Sequence, residues 1–62
     1  MSQNTLRVVA RIMALPDKVD EVRSLLEALV EPTRNEAGCI SYELLQNKSD
    51  PADFTFVEEW TT

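Results

Sequence analysis

Hydrophobic positions change period twice along the chain. From Thr5 to Ala14 the sequence reads TLRVVARIMA, and Leu6, Val8, Ala10, Ile12 and Ala14 alternate with Arg7, Val9, Arg11 and Met13. A period of two with β-branched residues predicts a strand. Val9 and Met13 on the second face predict that this face is also partly covered. Leu15-Pro16-Asp17 ends the pattern, because proline fixes φ and disfavours helix before it. Asp17 is then the expected N-cap, with Asp20 and Glu21 at the positive end of the helix dipole. From Lys18 to about Arg34 the period is helical: Val19, Val22, Leu26 and Leu29 form a stripe, widened by Leu25 and Val30. Lys18, Glu21, Glu27 and Glu31 occupy the other side. Pro32 lacks the N–H that would bond the Ala28 carbonyl, so a kink or a tightened last turn is expected.

The period of two then returns. Gly38 is the only glycine, and its expected use is a positive φ just after the helix. CISYELLQ, residues 39–46, predicts a second strand with Ile40, Tyr42 and Leu44 on one face and Cys39, Ser41, Glu43 and Leu45 on the other. Asn47 to Asp53, NKSDPAD, is turn chemistry. FTFVEEWT, residues 54–61, predicts a third strand with Phe54, Phe56, Glu58 and Trp60 on one face and Thr55, Val57 and Glu59 on the other. The order β-α-β-β makes the strands flanking the helix parallel, with the hairpin strand free to insert between them. The fold class is therefore α+β, the first portion of a ferredoxin-like unit whose second helix and fourth strand are not in the sequence. The chain stops at Trp60-Thr61-Thr62, inside a strand, so a C-terminally truncated single domain over residues 1–62 is expected.

Composition narrows the function. Six Lys+Arg against 11 Asp+Glu give a net charge of −5, which argues against nonspecific binding to nucleic acid or to an anionic membrane. With one Cys and no His, the chain can form no intrachain disulfide, no zinc-finger ligand set and no imidazole triad. No apolar run approaches the roughly 20 residues of a membrane span. The first five residues are polar and uncharged, unlike a secretory leader, so a cytoplasmic setting is expected. A chain of 62 residues without staples is marginal alone, which predicts a very compact module, an obligate oligomer or a piece of a longer protein.

Three stretches carry a resemblance: LRVVARIMALPDKVDEV at 6–22, LLEALVEPTRNEAGCISYELLQN at 25–47 and DPADFTFVEEW at 50–60. The most specific pattern is E-P-T-R-x-E-x-G-C-x-x-Y-E-L at 31–44, followed by F-x-F-x-E-x-W at 54–60. The chain resembles the antibiotic-biosynthesis monooxygenase (ABM) domain, especially its small quinol-monooxygenase-like members. The resemblance implies a dimeric α+β barrel, a homodimer or higher homo-oligomer in which two ferredoxin-like sheets pack face to face with helices outside. It implies a complete domain of about 100 residues, and a fourth strand beside the first; without that strand Thr5–Ala14 is an open edge. It also implies oxygen insertion into a small electron-rich aromatic of quinol or anthrone type, with no metal, haem, flavin or other cofactor. Deprotonation makes a substrate anion able to reduce O2, and the protein supplies an apolar pocket between sheet and helices, a proton acceptor and positioning donors.

The candidate site residues are Glu58, Trp60 and Tyr42. Trp60 can stack on a planar substrate and donate its indole N–H. Its plainer reading is a packing anchor. Glu58 lies two residues away on the same strand face and is the candidate base. Its plainer reading is a partner for an Arg such as Arg7 or Arg11, or simple exposure near a sheet end. Tyr42 can donate to a substrate oxygen; the simpler expectation is a half-buried Tyr with its hydroxyl in solvent. Arg7 and Arg11 are expected to pair across a dimer or with Glu43 and Glu59. Cys39 reads as a small buried hydrophobe. Haem-degrading relatives carry a first-strand Asn and a second-helix His; Ala10 stands at the matching first-strand position and the chain has no His, which argues against that chemistry. Two other functions fit the same fold: a non-catalytic dimerisation or small-ligand-binding module, and an isomerase- or decarboxylase-like enzyme.

Overall fold

The computed structural model describes residues 4–61; residues 1–3, the start of the polar N-terminal stretch, and residue 62 lie outside it. Strand β1 (Thr5–Met13) leads through a 3-10 turn at Pro16–Lys18 into helix α1 (Val19–Arg34), followed by β2 (Cys39–Gln46) and β3 (Asp53–Thr61). The sheet order is β1-β3-β2, and β3 pairs antiparallel with both neighbours. This is the β-α-β-β portion of a ferredoxin-like fold.

The register decides which residues share a face. Leu6, Val8, Ala10 and Ile12 stand opposite Trp60, Glu58, Phe56 and Phe54. Tyr42, Leu44 and Gln46 stand opposite Glu58, Phe56 and Phe54 on the other side of β3. These residues form the inner face, and α1 packs over its β2 half. The core is correspondingly small and central: Phe54, Phe56 and Tyr42 are buried, with Phe54 at 0% exposure. The Tyr42 and Phe56 rings stack with centroids 4.7 Å apart.

Helix α1 departs from the expected pattern in two ways. Asp17 makes no capping hydrogen bond; the chain instead enters through the 3-10 turn, where the Lys18 N–H reaches the Leu15 carbonyl at 2.9 Å. The helix buries Val19, Val22, Leu26, Val30 and Thr33 partly, while Leu25 and Leu29 are 64% and 49% exposed. One helix over a three-stranded sheet covers only a narrow stripe, so the flank of the predicted stripe is left open. At its other end the helix runs through Pro32 to Arg34 as expected. The Asn35 N–H bonds both the Glu31 carbonyl (3.2 Å) and the Pro32 carbonyl (3.3 Å), which tightens the last turn.

Gly38 has φ of 90°, as its place after the helix requires, and its carbonyl accepts the Thr61 N–H at 2.8 Å. Immediately beyond it β2 is irregular. Cys39 pairs with Trp60 and Ser41 with Glu59, so one extra residue, Ile40, sits in the strand. The bulge corrects the simple alternation. It brings Cys39 opposite Trp60, while Ile40 is left exposed.

Candidate functional site

The inner face at the Gly38 end of the sheet gathers the three candidate residues. Tyr42 and Glu58 are directly opposed in β2 and β3, and Trp60 follows Glu58 on the same face. The Trp60 indole Nε1–H donates to Glu58 Oε1 at 2.9 Å. This bond settles Glu58's partner: an indole, not Arg7 or Arg11. It also means that the Trp60 N–H is already engaged within the sheet face. Among the described residues, Glu58 Oε2 accepts no hydrogen bond.

Tyr42 is buried, against the expectation of a half-buried ring with its hydroxyl in water. The helix end explains this. Arg34 donates from Nε to the Tyr42 carbonyl at 2.9 Å, tying the last turn of α1 to β2. Burial raises the Tyr42 phenol above the ordinary tyrosine range, and the negative charge of Glu58 adds to it; the polar side chain of Thr33 opposes the rise. Tyr42 is thus a neutral phenol at physiological pH, beside the carboxylate. Thr33 was not singled out from the sequence. Its signal was its place one turn beyond Val30 on the buried helix stripe. Cys39 is half-buried and free. The residues converge on an open face; among the described residues no closed pocket forms.

The outer face carries a different constellation. Arg11 holds Asp53 with two bonds, Nε to Oδ1 at 2.8 Å and Nη2 to Oδ2 at 3.0 Å. Asn47 Nδ2 adds a third, to Oδ2 at 3.1 Å. These bonds, from Arg11 and then Asn47, hold the Asp53 carboxyl below the usual carboxylate range against the opposing effect of burial. The Asp53 bond in turn raises Arg11. Arg11 therefore pairs with Asp53 and not with Glu43 or Glu59. The turn itself is built from Asx geometry, with the Ser49 N–H on Asn47 Oδ1 (2.8 Å) and the Ala52 N–H on Asp50 Oδ1 (3.2 Å). The constellation locks the β2–β3 turn to β1 at the end of the sheet away from Glu58.

Among the described residues, no group of three or more His, Cys, Asp or Glu is placed to hold a metal ion. None of their helices is long and apolar enough to cross a membrane.

Comparison with known proteins places this geometry. The sequence profile of the family described as "Antibiotic biosynthesis monooxygenase" matches residues 5–62. The chain belongs to the antibiotic biosynthesis monooxygenase family. Its curated relatives include a Mycobacterium tuberculosis protein named "Putative monooxygenase Rv0793", 40% identical over 53 residues, which cover 86% of this chain and 52% of the relative. A Synechocystis protein, sll1783, is 38% identical over 53 residues, covering 86% of this chain and 36% of that protein. Among solved structures, Rv0793 superposes with a TM-score of 0.86 at 34% identity, over 95% of this chain and 59% of its own. PA3566 from Pseudomonas aeruginosa gives 0.87 at 38% identity, over 97% of this chain and 60% of its own. The chain thus spans about half or less of the curated relatives it matches and about 60% of these two solved structures.

Proposed function

We propose that the protein carrying this ABM chain is a cofactor-independent monooxygenase that inserts one oxygen atom into a small electron-rich aromatic of quinol or anthrone type. The observation that carries the reading is the Glu58–Trp60 pair, with Tyr42 beside it, on the inner face of a family sheet. Glu58 is the base. It takes the proton whose loss turns the substrate into an anion, and Tyr42 donates to the oxygen on which negative charge develops. The anion passes an electron to O2, the two radicals join as a peroxide, and loss of water leaves the oxygenated ring. For an anthrone, substrate plus O2 gives the quinone plus one water, which balances atoms and electrons without another reductant.

The proposed working form is a homodimer joined through the outer sheet face. Val9, Met13 and Leu45 are 67%, 55% and 51% exposed there, and apolar groups of this size rarely stay exposed together without a partner.

An oxygen electrode tests the activity. The complete protein, given anthrone and a naphthohydroquinone, is expected to consume O2 at a rate proportional to enzyme concentration, and Glu58→Gln to lose about 100-fold or more of it. Uptake no faster than the enzyme-free control for both substrates would end the reading. For the dimer, Val9→Glu with Leu45→Glu should convert the sedimenting species to a monomer with unchanged circular dichroism; a wild-type monomer at micromolar concentration contradicts it.

A further inference from the structure

The geometry points to Trp60 as a positioning residue for Glu58: its indole N–H fixes Oε1 of the carboxylate and thereby presents Oε2 to the proton that must leave the substrate, with Tyr42 directly opposite in β2. This inference rests on the monooxygenase reading and adds a division of labour within it. An indole has a single N–H donor, and here it is engaged with Glu58 at 2.9 Å. A carboxylate has two acceptor oxygens, so one can be held while the other works. Glu58 and Trp60 are i and i+2 on one strand face, so the bond needs no backbone movement to form.

Two neighbouring features support the assignment. The β-bulge at Ile40 sets Cys39, a small side chain, opposite Trp60, where regular alternation would have put Ile40. Bulges of this kind re-aim side chains beside sites. On the other side, Tyr42 is held by its stacking on Phe56 and by the Arg34 bond to its carbonyl. Glu58 therefore has the Trp60 indole bonded to Oε1 and Tyr42 directly opposite it in β2. Loss of binding that substrate and transition state share raises KM with kcat unchanged, whereas misplacing the base lowers kcat.

The test uses the complete protein and has an arm that does not depend on turnover. In the first arm, nitrogen-labelled protein is followed by NMR at the Trp60 indole N–H. Glu58→Ala is expected to move that resonance and to speed its exchange with solvent about tenfold or more, as loss of a charge-assisted bond implies. Glu58→Gln, which keeps an acceptor oxygen but cannot take the proton, is expected to keep the resonance protected while abolishing O2 uptake. In the second arm, Trp60→Phe keeps an aromatic ring and removes the N–H donor together with the pyrrole half of the indole. It is expected to lower kcat with anthrone about tenfold to a hundredfold while KM stays within about twofold. A raised KM with kcat intact would overturn the positioning role, as would an indole N–H that is unchanged in Glu58→Ala. Absence of wild-type O2 uptake would overturn the monooxygenase reading and the positioning role together, so the two failures are distinguishable.

Discussion

Phe54 and Leu25 look alike in the sequence, both large apolar residues on a predicted buried stripe, yet they should respond in opposite ways to truncation. Phe54 is 0% exposed on the central strand, opposite Ile12 in β1 and Gln46 in β2. Its backbone is hydrogen-bonded on both sides, so the strand cannot collapse into the space that Phe54→Ala would leave. Lost transfer energy plus the residual cavity puts the cost at about 3–5 kcal/mol. Native stability runs at about 0.05–0.15 kcal/mol per residue, or roughly 3–9 kcal/mol for a chain of this length. Phe54→Ala should therefore remove most of the stability. Leu25 is 64% exposed, and alanine is the better helix former, so Leu25→Ala should stay within about 0.5 kcal/mol of wild type. Urea titrations of the 62-residue chain, followed by circular dichroism, measure both. A Phe54→Ala cost under about 1 kcal/mol would refute the assignment of the core, and a Leu25→Ala cost equal to that of Phe54 would show that something covers the helix flank.

Three further predictions follow from single contacts. The folded-state carboxyl of Asp53 lies below its unfolded value, so its contribution to stability is present above about pH 4 and is lost as pH falls through the folded pKa; Asp53→Asn should flatten the acid limb of a stability-versus-pH curve, and an unchanged limb contradicts the pairing with Arg11. The Tyr42 phenol is raised, so its contribution is fully present below about pH 10 and is lost as pH rises through the folded value; ultraviolet titration should place its midpoint above that of free tyrosine, and Tyr42→Phe should remove the alkaline phase. Gly38→Ala forces an L-residue to φ of 90° with a Cβ 3.0 Å from Thr61 Oγ1, which should cost about 1–2 kcal/mol in thermal or urea unfolding; a neutral result would mean the turn relaxes freely.

Most of the fold was legible because it rests on local pattern. The alternation in β1 and β3, the helical period after Pro16 and the positive φ at Gly38 are each dictated within a few residues. What escaped depends on distance or on layer count. Arg11 and Asp53 lie 42 positions apart, and nothing in NKSDPAD distinguishes Asp53 from Asp50 until the β1–β3 register places it two residues from Arg11 on one face. The bulge at Ile40 was invisible because C-I-S-Y alternates acceptably without it. Leu25 and Leu29 fit a helix stripe, but how much of a stripe is covered depends on what packs beside the helix. For the candidate site, a shared strand face for Glu58 and Trp60 was readable from their spacing. Their direct bond was not, because it depends on rotamers set by the surrounding inner face.

The most direct test of the account is the fate of O2 itself. Anthrone incubated with the complete protein under isotope-labelled O2 should yield quinone carrying one labelled oxygen atom, with the other in water, and Glu58→Gln should abolish the enzyme-dependent fraction. Product that forms at the same rate without O2, or that carries no label, would contradict oxygen insertion at this site.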